Sequence, residues 1–107
     1  MPEAPPVDIA GADGAVLTLR TVLTLKTRVQ YADVLSGNML SQEDAWHRAV
    51  EFLFERLVVR WTVADVPTEG QRDLLLRLRA ATPDERRFVR ESLRSHCAEW
   101  FPDVQAP

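Results

Sequence analysis

The chain has 107 residues, 46% hydrophobic and 27% charged, and carries a formal net charge of -3. That length makes one domain, able to bury roughly two thirds of its unfolded surface, and the composition excludes the disordered and collagen-like classes. The negative balance excludes a long-range pull toward nucleic acid or anionic lipid, so any basic surface for a partner has to be local.

Residues 1–14 hold Pro2, Pro5, Pro6, Gly11 and Gly14 with few large apolar side chains, which predicts a flexible arm. In "AVLTLRTVLTLK" the leucines Leu17, Leu19, Leu23 and Leu25 alternate with Thr18, Arg20, Val22 and Thr24, the period of a half-buried strand, predicted over 15–22. Leu25, Val29, Ala32 and Leu35 then share one helical face, predicting a helix over 25–36 with Gly37 as a left-handed C-cap.

Ser41 with Asp44 three residues on reads as a shortened capping box opening a second helix over 42–60. Its stripe is Trp46, Ala49 or Val50, Leu53, Leu57 and Trp61, widened by Phe52 and Phe54. By β-propensity, "LVVRWTV" over 57–63 is alternatively readable as a strand. "ADVPTEG" is a loop around Pro67, and a short helix over 69–80 turns Leu74, Leu75 and Leu78 inward. The fourth helix, 83–99, has the clearest start signal: Thr82 as N-cap, Pro83 at the first helical position and Glu85 completing a capping box. Its apolar side carries Phe88 or Val89, Leu93, His96 or Cys97, and Trp100, and Pro102 ends it. The fold expected is therefore mainly α: one helical domain over 15–101 with about four helices and a short N-terminal strand or hairpin, flanked by flexible tails at 1–14 and 102–107.

Cys97 is the only cysteine, which excludes an internal disulfide and suits a reducing compartment. With acids and prolines where a secretory signal needs basic residues, and no run of about 18 apolar residues, a cytoplasmic protein without a membrane span is expected. Spaced ligand pairs for a metal are missing, since His96 and Cys97 are adjacent and His47 belongs to another helix. Cys97 near a helix C-terminus lacks the electropositive setting of a nucleophilic thiol. The four glycines at 11, 14, 37 and 70 make no phosphate loop, and the carboxylates read as solvated faces. No catalytic group, metal site or cofactor is expected, and an enzyme is the least favoured class.

Two features point to partners. Arg86, Arg90 and Arg94 recur every four residues along the fourth helix, lining a strip about 12 Å long; a solvated face, an acidic protein partner and nucleic acid are its three readings. The band from Trp46 to Trp61 is wide enough to form the central helix of the core, with a surplus for a partner or for self-association.

The strand-to-helix run "DGAVLTLRTVLTLKTRVQYADVL" and the apolar-Trp-Thr run "VVRWTVAD" resemble the small tail assembly chaperones of long-tailed bacteriophages, a likeness covering residues 13–95. The resemblance implies a non-catalytic protein that associates with the tape-measure protein and tail-tube subunits during tail construction and is absent from the finished particle. It brings no catalytic residues. On chemistry, Trp46, Phe54, Leu57, Val58 and Trp61 are the candidates to contact an apolar client helix, with Arg86, Arg90 and Arg94 beside them. The alternatives are a tail or head-completion subunit that stays in the virion, and a small helix-turn-helix-like nucleic-acid binder using the same arginines.

Overall fold

The computed structural model describes residues 4–36 and 42–107. Among them the order is β1 (Val7–Ala10), β2 (Val16–Leu19), α1 (Leu25–Ser36), α2 (Gln42–Leu57), β3 (Val58–Val63), β4 (Val66–Glu69), α3 (Gln71–Arg79) and α4 (Pro83–Trp100). The expectation of a mainly α fold is corrected by the four strands, which form one antiparallel sheet in the order β1-β2-β3-β4, so the class is α+β. The Gly37 cap and the Ser41 half of the capping box lie outside the described residues.

β1 lies inside the stretch read as a flexible arm. Val7 and Ile9 alternate with exposed Asp8 and Ala10, and pairing with β2 in the register Val7↔Leu19 and Ile9↔Leu17 gives this short segment the bonds it cannot make alone. The connecting loop closes through Gly11 N–H to the Ala15 carbonyl (2.7 Å) and Ala15 N–H to Asp13 Oδ1 (3.1 Å). Gly14 stands at φ +86°, a conformation L side chains rarely adopt.

The second helix ends earlier than the stripe of its apolar residues, because Val58, Val59, Thr62 and Val63 are β-branched and β2 waits beside them. β3 takes the register Leu17↔Trp61 and Val16↔Thr62, with a bulge at Thr18/Leu19. It turns into β4 through Ala64 and Asp65, both at positive φ (50° and 65°), with Val63 facing Val66: a two-residue type I′ turn without its preferred Asn-Gly.

One face of the sheet is apolar and one polar. Ile9, Leu17, Leu19 and Trp61 face the helices and pack with Leu53, Phe54 and Leu57 of α2 and Val89, Leu93 and Cys97 of α4. On the opposite face Asp8, Thr18, Arg60 and Glu69 stand in one row across the strands; the Thr18 hydroxyl donates to Asp8 Oδ1 (2.6 Å) and Arg60 pairs with Glu69 (3.5 Å).

α4 begins as its sequence requires. Thr82 Oγ1 accepts the Glu85 N–H (3.1 Å) and Glu85 Oε1 accepts the Thr82 N–H (2.9 Å), a complete capping box with Pro83 in the first turn. The segment 102–107, expected as a tail, folds back on α1: Val104 is buried, Asp103 takes both oxygens to Arg28 (2.8 Å each), and the Tyr31 hydroxyl donates to the Gln105 carbonyl (2.6 Å). That anchoring reverses α1. Tyr31 is buried against Phe52 and the returning segment, so the face made by Leu25, Val29, Ala32 and Leu35 looks outward, with Leu25 77% exposed.

Candidate partner-binding groove

α2 and α4 leave between them a groove of ≈ 820 Å³, closed at one end by Leu78 and Arg79 of α3. Residues 46, 50 and 53 share one side of α2, but Leu53 is fully buried whereas Val50 is half-buried and Trp46 is 39% exposed. This side of the helix thus becomes more open toward its N-terminal end, and the Trp46 indole forms an apolar wall of the groove. On α4, Val89 and Leu93 are turned into the core, which carries the 86-90-94 series to the groove edge at one-turn spacing.

The arginines are held in different ways. Arg86 donates to the Arg79 carbonyl (2.8 Å), and Arg79 itself pairs with Glu51 of α2 (3.2 Å). The Arg90 guanidinium lies over the Trp46 ring, 5.3 Å from its centroid. Among the described residues neither Arg90 nor Arg94 pairs with a carboxylate, although Glu43 and Glu91 also border the groove.

The expected contact residues are therefore divided. Trp46, Arg86, Arg90 and Arg94 come together in the groove. Phe54, Leu57, Val58 and Trp61 do not: all four are buried in the core, Phe54 packing edge-on to Trp61 with centroids 6.1 Å apart, so in this fold they do not offer a client helix the expected surface. Continuous periodicity cannot show where a helix leaves the core. The α3 contribution, Leu78 and Arg79, was not expected; the spacing of Arg77 and Arg79 in "LLLRLRAA" gives no sign of which one reaches the groove, and it is Arg77 that turns inward.

The remaining reactive side chains lie elsewhere. His96 is buried between Trp100 and Phe101, and its Nε2–H donates to the Arg20 carbonyl at 2.7 Å, the role a carbonyl partner imposes. Burial pushes the Cys97 thiol up to about 11, so it stays protonated across the neutral range. The Tyr31 phenol is raised as well, by burial first and by nearby Cys97 second. His47 sits exposed on α2, 3.9 Å from Glu43. Among the described residues no group of three His, Cys, Asp or Glu side chains is placed to hold a metal ion, and no helix is long and apolar enough to cross a membrane. No family model, curated protein or solved structure matches the chain.

Proposed function

We propose that the protein is a non-catalytic assembly adaptor that holds a segment of another protein in the α2–α4 groove. The observation that carries this reading is Trp46. Leu53, Phe54, Leu57, Val58 and Trp61 of the same run are buried, whereas this indole stands 39% exposed at the mouth of a groove edged by arginines, the combination of aromatic anchor and charged rim that protein interfaces use. The buried, protonated Cys97 and the carbonyl-bound His96 leave the best nucleophile candidates without access to a substrate.

The resemblance to tail assembly chaperones narrows the client to the tape-measure protein or a tail-tube subunit, and the site of action to the bacterial cytoplasm. One of its motifs reads differently in the fold, since "VVRWTVAD" is β3 and its turn and supplies core, not contact surface. Co-expression with the neighbouring tape-measure and tube genes tests the reading: the client co-purifies with the wild-type chain, and Trp46→Ala weakens that association. A client that neither co-purifies nor becomes more soluble defeats it. Finding the protein in purified virions by mass spectrometry would favour a structural subunit instead. Nucleic acid fits the groove less well, because a continuous phosphate backbone would run past Glu43 and Glu91 as well as the arginines, whereas single acidic side chains can meet the arginines alone.

A further inference from the structure

Among the described residues four arginines lie over aromatic rings. Arg77 covers Trp61 at 4.9 Å and holds Glu85 by two parallel contacts, Nη1 to Oε1 (3.2 Å) and Nη2 to Oε2 (2.5 Å). Arg28 covers Phe101 at 5.4 Å and holds both oxygens of Asp103. Arg56 covers Phe52 at 4.8 Å with Glu55 at 3.6 Å. The fourth, Arg90 over Trp46, has the ring and the cation but no carboxylate, and it alone stands in the groove.

This comparison carries a physical argument. A guanidinium resting on an aromatic face has lost much of its rotational freedom already, and its N–H edge is presented in one plane, matched to the two oxygens of a carboxylate. Binding then costs little further ordering. In the three completed stacks the chain itself supplies the acid. At Trp46 the acid has to come from outside. Arg94, one turn along and also unpaired, provides a second cation about 6 Å away along the helix.

We infer that the Trp46–Arg90 stack is an open carboxylate site, completed by a helical segment of the partner with acidic side chains four residues apart, one on Arg90 and one on Arg94, and an apolar side chain against Trp46 and Val50. The inference rests on the adaptor reading and specifies the chemistry of the segment bound. Acids at that spacing share a helix face and match the pitch of the arginine strip.

The test uses the full chain and fluorescein-labelled helical peptides in anisotropy titrations at low ionic strength. The probe peptide carries two Glu four apart with a Leu between them on the same face. The first control has the same composition with the two Glu two apart, on different faces; the second has Gln in place of Glu. The probe peptide binds, both controls bind at least about tenfold more weakly, and Arg90→Glu lowers affinity for the probe by about tenfold or more. Arg72→Glu, an exposed change on α3 outside the groove, leaves it unaltered. A peptide with Lys at the two acidic positions regains binding to the Arg90→Glu, Arg94→Glu double variant. Thermal unfolding of each variant confirms that it is folded.

Equal binding of the two Glu spacings, equal losses for Arg90→Glu and Arg72→Glu, no binding of the probe peptide, or its displacement by a lower concentration of a single-stranded oligonucleotide than of unlabelled peptide each overturns the inference. The two proposals fail separately. A tape-measure or tube protein that co-purifies equally well with Arg90→Glu removes the carboxylate site and leaves the adaptor standing. Spacing-dependent peptide binding without any co-purifying client keeps the site and removes the proposed client.

Discussion

The two tryptophans at the ends of one apolar run, Trp46 and Trp61, differ in almost everything except the arginine on their faces. Trp61 is 1% exposed, paired across the strands with Leu17, and its arginine is locked to Glu85. Trp46 is half open and its arginine is unpaired. The difference shows that a sequence stripe of uniform character can be divided by the fold into a part that stabilises and a part that stays available. Stability measurements should separate them.

The largest expected contrast is between Trp61→Ala and Trp46→Ala. Removing the buried indole costs about 3–5 kcal/mol, enough to threaten folding of a domain this small. Removing the exposed one costs no more than about 1 kcal/mol. Urea denaturation monitored by circular dichroism gives both values, and equal losses would erase the distinction. Among the described residues the buried Trp61 indole N–H has no hydrogen-bond partner, so Trp61→Phe, which removes that group and keeps a ring, costs distinctly less than the alanine change.

The second contrast concerns the acid that completes the Trp61 stack. The hydrogen bond from Arg77, and after it the Thr82 N–H, hold the Glu85 carboxyl below its ordinary range. A folded value below the unfolded one means that the carboxylate stabilises fully above about pH 4.3 and loses that effect as the pH falls through the folded value. Glu85→Gln should therefore cost about 1–2 kcal/mol at pH 7, and less as the solution is acidified through the folded value. Urea midpoints at pH 7, 5 and 3 check the sign.

The smallest effect is a gain. Ala64 occupies a left-handed position suited to Asn or Gly, and relieving it with Ala64→Asn, alone or with Asp65→Gly, should raise stability by about 0.5–1 kcal/mol. Because the turn holds the strand bearing Trp61 and lies away from the groove, partner affinity should stay constant while the unfolding midpoint rises. A gain in both would show that the two regions are coupled.

What could be read from the sequence follows the range of the interactions involved. α4 and its capping box are spelled out by residues within one turn of each other, Thr82, Pro83 and Glu85. The Arg86, Arg90 and Arg94 strip is equally local, and those three residues do meet in the groove. β1 and β4 were illegible because edge strands as short as "VDIA" and "VPTE" take their stability from the neighbouring strand, and Pro67 argued for a loop. The outward face of α1 was hidden for a similar reason: Tyr31 and Arg28 are drawn inward by Gln105 and Asp103, more than 70 positions away in the chain. Likewise nothing near Trp46 announces that the apolar stripe of α2 opens there into a groove with α4.

α2 hands over to β3 between Leu57 and Val58 with no residue to spare. One extra amino acid inserted at that joint would either swing the helix round by about 100° or send Trp61 to the wet side of the sheet. The spacing between the tryptophans is in this sense a ruler: side chains along it can be exchanged one at a time, whereas a change in its length moves every residue beyond the joint.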